Sequence, residues 1–281
     1  DTLYQIDPIS GDAIIEVVYE NHPVKGEFTV VKKGEVLKDY GKDFKYEIEN
    51  LAGAVFAIYA AEDIYTADFQ KDDAGNRILE YAKDALVTEL TTDETGSATI
   101  KNLPLGNYKV VEKTAPDGFV HNGTEQNVQY VYVDQNTPVV VESVEFINER
   151  QKVEISVEKQ DAENGSTIAG AEFGLYAKED IKAGEKVIVK ADEQLCTAVT
   201  GDDGTAVFEQ DLPFGSYYIK ELQAPDGFVS SDEIIEVTVS YQGQDVEVVR
   251  LKEIFKNQPT TVEFTKSDLT TGVELDGATL T

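Results

Sequence analysis

The chain has 281 residues, and 54 acidic against 24 basic side chains give it a formal net charge of −30. This acidity argues against binding to nucleic acid or to anionic membrane surfaces, because Lys and Arg are needed to displace counterions from phosphate. A hydrophobic fraction of 41% is enough for packed cores, while no window approaches the roughly 20 apolar residues of a spanning helix, so we expect no membrane insertion in this segment.

Strands that alternate apolar and polar residues dominate the predicted elements. In chain order, such runs occur at 28–30, 153–157 and 235–239, and the segment 77–86 is ambiguous because it could also form a short helix. A period of two places one face of a strand on a core. Asp-Gly and Asn-Gly turn signals separate the runs, and short strands with such turns predict an all-β chain of antiparallel sandwiches.

Two sequence blocks each occur twice, in the same order. A block that reads Leu-Pro-x-Gly-x-Tyr-x-x-x-Glu-x-x-Ala-Pro-Asp-Gly-Phe begins at Leu103 and recurs 109 residues later at Leu212. A Gly-Ala-x-Phe block at 53–59 recurs at 170–176. The chain therefore contains two copies of one sequence repeat, and the first copy is longer because of insertions around 40–50 and 65–85.

Each copy places a lysine on the apolar face of its first strand. Lys32 continues the face of Phe28 and Val30, Lys159 continues the second run, and Lys266 stands at the start of a third copy. A buried ammonium needs an acceptor, a neutral state or a covalent fate, because an unpaired charge is costly in a core. The alternative is that each strand ends there and the lysine emerges into solvent. Lys33 falls on the polar side of the alternation, so we prefer Lys32.

Each copy also places a glutamate on the core face of a later strand, where it could exchange a proton with the lysine. Glu112 and Glu221 share their faces with the tyrosine and the aliphatic residue that precede them at a spacing of two. Burial raises the pKa of a carboxyl and lowers that of an amine, so such a pair can exchange a proton and become neutral. A neutral amine is a nucleophile, and a protonated glutamate can polarise a carbonyl and relay protons.

An asparagine follows the last strand of each copy at constant spacing. Asn148 comes 36 residues after Glu112, and Asn257 comes 36 residues after Glu221. Asn21 precedes the lysine of the first copy by 11 residues, as Asn148 precedes that of the second. We therefore interpret the residues before Asn21 as the end of another domain.

At these residues the chain resembles the Cna-B (SpaA-like, prealbumin-like) domains of Gram-positive surface proteins and pilins. The resemblance implies tandem inverse-immunoglobulin-like β-sandwiches, arranged as an elongated rod, in which a lysine and an asparagine form a spontaneous isopeptide bond under a catalytic glutamate. The implied sets are Lys32, Glu112 and Asn148 in the first domain and Lys159, Glu221 and Asn257 in the second.

The same comparison divides the chain into domains. Residues 1–25 would be the last strands of a preceding domain, 26–149 and 150–258 two complete domains, and 259–281 the first strands of a following, truncated one. Asn21 and Lys266 would then belong to incomplete neighbouring triads. Because the chain also contains no Met, we interpret it as a mature or excised part of a longer protein.

The sequence lacks the residues that most other kinds of catalytic site would need. Cys196 is the one cysteine and is expected to be a small core or strand residue, and His22 and His121 are expected in loops. The segment 72–76 weakly suggests a Ca²⁺ loop, but it lacks alternating ligands and a distal glutamate, so a hairpin turn is favoured. We predict no metal and no cofactor.

The leading functional hypothesis is a structural stalk segment of a cell-wall-attached adhesin or pilus subunit on the surface of a Gram-positive bacterium. Its partners would be neighbouring domains of the same protein, and its single-turnover bond formation would not make it an enzyme. The alternative is an adhesin region that binds a host matrix protein or glycan through the insertions of the first domain. Aromatic residues motivate this alternative, although local packing would also explain them: Tyr40, Phe44, Tyr46, Tyr65 and Phe69.

Overall fold

The computed structural model describes residues 22–66, 70–131, 136–262 and 265–274, and within those ranges every regular element is a β-strand. No helix that could cross a membrane occurs in this part of the chain. The strands are β1 (Lys25–Tyr40), β2 (Phe44–Asn50), β3 (Val55–Ala60), β4 (Ile64–Tyr65), β5 (Leu79–Tyr81), β6 (Leu86–Thr91), β7 (Ser97–Leu103), β8 (Asn107–Thr114), β9 (Glu125–Gln129), β10 (Val139–Asn148), β11 (Lys152–Asp161), β12 (Glu172–Ala177), β13 (Ile181–Ala183), β14 (Lys186–Val189), β15 (Gln194–Val199), β16 (Thr205–Val207), β17 (Gly215–Gln223), β18 (Ile234–Val239) and β19 (Val248–Asn257).

The described residues form two compact units that do not follow the boundaries of the sequence repeat. The first unit draws on the residues up to Val31, on Ala54–Lys113 and on Gly123–Phe146. The second unit contains the whole second repeat together with two segments of the first, Lys32–Gly53 and Thr114–Asn122. The long strand β1 runs through both units.

The first unit is a sandwich of two sheets. One sheet has the strand order β6-β3-β8-β9, and in the other β1 lies beside β10 and pairs antiparallel with β7. Phe28 and Val30 of β1 are fully buried, as their alternation predicted, and belong to one core with Tyr108 of the opposite sheet. The rings of Phe56 and Phe146 lie 4.8 Å apart in this core. The all-β prediction is confirmed.

The second repeat has the same architecture inside the second unit. Its sheets have the orders β16-β11-β19 and β15-β12-β17-β18. Its first and last strands, β11 and β19, are neighbours and run parallel, in register from Lys152 opposite Val248 to Asp161 opposite Asn257. Residues from both sheets share one core, with Phe173 and Phe255 packed at a ring distance of 4.9 Å.

A hairpin from the first repeat completes that core. The second half of β1 pairs antiparallel with β2 and ends at the Tyr40–Phe44 pair. Phe44 is 6% exposed and belongs to the core of the second repeat, and Tyr40 and Tyr46 pack against it. Their hydroxyls donate to the carbonyl oxygens of Leu195 at 3.3 Å and Asp211 at 2.9 Å. The aromatic residues of this insertion are thus used in packing, and their partners lie in the second repeat.

The ambiguous segment 77–86 is not helical. Its middle forms β5, which pairs with β4 through Ile64 and Tyr81. A turn follows, in which Ala85 N–H donates to the Ala82 carbonyl, and β6 begins at Leu86. The helix alternative is therefore wrong, because cross-strand pairing satisfies the backbone here.

The segment 72–76 is a hairpin turn, as favoured from the sequence. Asp72 Oδ1 accepts from the N–H groups of Ala74 and Asn76, at 3.0 and 2.8 Å. Lys71 and Arg77 form a β-bridge on either side. The carboxylate of Asp72 therefore serves the turn itself.

Candidate functional site

The repeated Leu-Pro-x-Gly-x-Tyr block folds in the same way in both copies. The hydroxyl of Tyr108 donates to the Pro104 carbonyl at 2.8 Å, and that of Tyr217 to the Pro213 carbonyl at 2.6 Å. Both tyrosines are fully buried, and this burial raises their pKa values. The bond ties the start of each glutamate-bearing strand, β8 or β17, to the turn before it.

The repeated Ala-Pro-Asp-Gly-Phe block is a turn that needs its glycine. Phe119 N–H donates to the Pro116 carbonyl at 3.1 Å across Gly118, which has a φ of 92°. A positive φ at this position of a type II turn favours glycine strongly. The second copy repeats the bond at 3.2 Å across Gly227, with a φ of 84°.

These turns place the residues that follow each asparagine. In the first copy, Val120 N–H donates to the Glu149 carbonyl, and Gln151 N–H to that of Gly118. In the second copy, the equivalent bonds are Val229 N–H to Gln258 and Thr260 N–H to Gly227, at 2.9 and 2.7 Å. The turn after the glutamate strand therefore pairs with the end of the last strand in both copies.

The structure brings Lys159, Glu221 and Asn257 together. Lys159 Nζ lies 2.5 Å from Asn257 Oδ1 and 2.9 Å from Glu221 Oε1. Asn257 Nδ2 donates to both carboxylate oxygens of Glu221, at 2.8 and 2.9 Å. The side chains of Lys159 and Glu221 are 0% and 1% exposed. Lysine and asparagine come from the neighbouring strands β11 and β19, and the glutamate comes from β17 in the other sheet.

The surroundings of Lys159 favour a neutral amine. Burial lowers its pKa, and the hydrogen bond and charge of Glu221 oppose that shift only in part. The rings of Phe173 and Phe255 have their centroids 5.6 and 5.9 Å from Nζ. The alternative in which the strand ends at the lysine is wrong here, because β11 continues to Asp161.

The arrangement differs from the expected one in the partner of the glutamate. Glu221 accepts from the amide nitrogen of Asn257, whereas the carbonyl oxygen faces Lys159. The carboxyl group is thus placed beside the nitrogen that would leave if the amine attacked the amide carbon. A third donor, the backbone N–H of Ser231, binds Glu221 Oε2 at 2.8 Å. No side-chain pattern could have revealed Ser231, because its contribution is a backbone group.

In the first repeat, the equivalent three residues are also buried. Lys32 lies on β1 with 0% exposure, Glu112 on β8 with 1%, and Asn148 at the end of β10 with 1%. β1 and β10 are neighbours in one sheet. Lys33 points to the other side of β1 and is half-buried. Buried charged side chains of this kind are rare unless they are paired.

The remaining predicted residues are not part of this cluster where the structure describes them. Asn21 lies outside the described residues, as does Phe69, and Lys266 is exposed. Cys196 is half-buried on β15, and burial raises the pKa of its thiol to about 11. His22 is exposed and His121 half-buried, both outside strands. No group of three or more His, Cys, Asp or Glu side chains among the described residues is arranged to hold a metal.

Comparisons with solved structures find similarity to a Bacillus anthracis protein and to two pilins. The Bacillus anthracis TIE protein matches with a TM-score of 0.55 and 24% identity over 84% of this chain, which corresponds to 34% of that protein. A streptococcal ancillary pilin matches at 21% identity over 92% of this chain and 69% of its own, with a TM-score of 0.31. The shaft pilin SpaA of Lactobacillus rhamnosus GG matches at 13% identity over 85% of this chain and all of its own, with a TM-score of 0.31.

No curated protein matches this sequence. The family model of the SpaA prealbumin-like fold domain matches twice, at residues 42–145 and 153–253. These two matches cover most of both sequence repeats. Together with the paired β-sandwiches, they show that the chain belongs to the family of SpaA, prealbumin-like fold domains.

Proposed function

We propose that the chain is a structural stalk segment of a Gram-positive cell-surface adhesin or pilus subunit, in which each repeat is closed by an autocatalytic lysine–asparagine isopeptide bond. The observation that carries this proposal is the buried contact of Lys159, Glu221 and Asn257, with the amine 2.5 Å from the amide oxygen. By repeat equivalence, Lys32, Glu112 and Asn148 form the first site. The family match supports a pilin-like role.

The proposed reaction begins with a proton transfer. Glu221 takes a proton from the ammonium of Lys159, and the neutral amine attacks Cγ of Asn257. Glu221 then donates its proton to Nδ2, with which it is already hydrogen-bonded. The new C–Nζ bond forms, the C–Nδ2 bond breaks, and Nδ2 leaves as ammonia. Nζ gives up its second proton to Glu221 as it becomes an amide nitrogen, so the carboxyl group ends protonated. Holding the amine and the amide in contact supplies effective molarities of about 10⁵–10⁸ M.

The product is a permanent cross-link rather than a turnover. Lys159 and Asn257 are 98 positions apart, so the bond closes a long loop and removes unfolded-state entropy. The disulfide-type estimate for such a loop is about 4–5 kcal/mol. In an extracellular, wall-attached protein, the bond would stabilise each repeat independently of redox conditions.

Intact mass followed by peptide mapping tests the proposal. The wild-type chain is expected to lack two ammonia molecules, and mapping should recover branched peptides that join Lys159 to Asn257 and Lys32 to Asn148. Glu221→Ala should lose only the first of these peptides. Its melting temperature should fall by roughly 10–20 °C, because the closed loop is lost.

Glu236→Ala is the matched control, since this glutamate of β18 is 60% exposed. It should retain both cross-links. A folded wild-type chain with its unmodified mass would contradict the proposal.

A further inference from the structure

Two polar side chains are buried immediately after the asparagine of the first repeat. Arg150 is 7% exposed and Gln151 is 1% exposed, although both lie between strands. Buried polar residues outside regular structure need specific partners. Their partners are segments of the second repeat and of the hairpin, all within the second unit.

The guanidinium of Arg150 is held from several sides. It forms an ion pair with Asp211 and donates through Nη1 to the Leu212 carbonyl at 3.3 Å. Its Nε lies 3.6 Å from Glu35 Oε2, and its Cζ lies 3.9 Å from the ring centroid of Tyr46. A planar cation with this many fixed neighbours has little freedom, so its backbone is fixed as well.

Gln151 anchors the same segment to a loop of the second repeat. Its Nε2 donates to the carbonyl oxygens of Val246 at 2.6 Å and Gly243 at 3.1 Å. Its Oε1 accepts from Gln242 N–H at 2.9 Å. Both hydrogen-bonding ends of the amide are therefore satisfied by the second repeat.

Among the residues that the structure describes, the second site has no such anchor. The residues equivalent to Arg150 and Gln151 are Pro259 and Thr260, which are half-buried and exposed. The backbone bonds to the glycine turn are the same in both copies, so the difference lies in these two side chains.

We propose that Arg150 is a positioning residue for the closure of Lys32 onto Asn148. The inference rests on the proposed function, since it concerns the geometry of that reaction. One residue separates Asn148 from Arg150, and the space around this strand end is tight: a Cβ at Gly34 would lie 2.9 Å from the Asn148 carbonyl oxygen. Because Arg150 contacts the 211–214 segment, the position of that segment determines where the end of β10 lies. The first bond therefore closes efficiently only when the second repeat is folded.

Time-resolved peptide mapping of the full chain tests this role. Wild type and Arg150→Ala are made by cell-free synthesis, and both branched peptides are quantified at intervals. In Arg150→Ala, the Lys32–Asn148 bond should form about 10–100-fold more slowly, the range expected when a reacting group is misplaced by a fraction of an ångström to 1 Å. The Lys159–Asn257 bond in the same molecules should form at its normal rate.

Two further measurements separate positioning from loss of fold. The pH midpoint of first-bond formation should be unchanged in Arg150→Ala, because positioning does not alter proton affinities. Arg150→Lys keeps the charge but loses the planar contacts, so it should form the first bond at an intermediate rate. The control is Arg250→Ala, at an arginine that is 66% exposed, and it should behave as wild type.

The outcomes are distinguishable. Formation of both bonds at wild-type rates in Arg150→Ala would overturn the inference, and so would equal slowing of both bonds, since that indicates general unfolding. Absence of both bonds from the wild-type chain would instead refute the proposed function.

Discussion

At Lys159, burial alters the protonation of the amine that the proposed reaction uses. Burial lowers the pKa of the Lys159 amine. At a pH between this lowered pKa and the ordinary value, the amine holds fewer protons in the folded, unclosed chain than in the unfolded chain. Raising the pH through that window therefore favours the folded, unclosed chain.

We therefore expect the rate of closure at Lys159 to fall in acid. Protonation converts the amine to ammonium, which cannot attack the amide carbon. Freshly synthesised chain, incubated across a pH series and mapped for the branched peptide, measures this dependence. A rate that rises steadily with acidity would exclude attack by the neutral amine of Lys159.

Sequence reasoning reached these residues by two routes. The alternation along β1 and β11 identified Lys32 and Lys159 as core-facing, and constant spacing identified Asn148 and Asn257. The orientation of Glu221 toward the amide nitrogen was not predictable, because it depends on side-chain hydrogen bonds between two sheets. The donor from Ser231 is a backbone group and leaves no signal in the residue pattern.

Among the elements, the hairpin formed by β1 and β2 contributes to a core that is distant from it in sequence. Phe44→Ala should reduce the free energy of unfolding of the second repeat by about 3–5 kcal/mol, the usual cost of a large apolar truncation. Urea unfolding of chains that carry Glu221→Ala, which leaves the second repeat uncrosslinked, would measure it. Ile48→Ala, on the same hairpin but 51% exposed, should change it by less than about 0.5 kcal/mol.

Gly34 allows β1 to pack against the Phe119 turn. A Cβ at this position would lie 2.5 Å from the Phe119 ring and 2.7 Å from Leu51. We expect Gly34→Ala to destabilise the chain by about 1–3 kcal/mol through overpacking, measured by thermal unfolding. Gly41→Ala is the control, since nothing lies within 4 Å of its Cβ position; equal melting of the two variants would contradict the packing role of Gly34.

The strands were largely predictable from the sequence, but the core into which the β1–β2 hairpin packs was not. Alternation specifies which face of a strand is apolar, but it does not specify which core receives that face. Phe44 and Tyr46 therefore suggested either a binding surface or local packing, whereas their partners lie in the second repeat. Residues 77–86 were ambiguous because short apolar runs fit both periods, and only pairing with β4 decides between them.

For the whole chain, the proposed cross-link would determine which residues tension can extend. Glu221→Ala, pulled from its two ends, should show an unfolding step that the wild type lacks. Release of the segment between Lys159 and Asn257, which are 98 positions apart, would lengthen the chain by on the order of 300 Å. Single-molecule force spectroscopy measures this step, and an identical step in both chains would contradict a closed loop.

The parallel pairing of β11 and β19 has a further consequence for a pulled chain. Force enters β11 at Lys152 and leaves β19 at Asn257, at opposite ends of the ten-residue register. Without the cross-link, the two strands would slide past one another, with every hydrogen bond of the ladder strained at once. With it, the load runs along β11 only as far as Lys159 and crosses directly to Asn257. β19 and the sheets behind it would then carry no load and keep their shape. They would continue to hold the amide in a dry site while the neighbouring backbone of β11 is stretched.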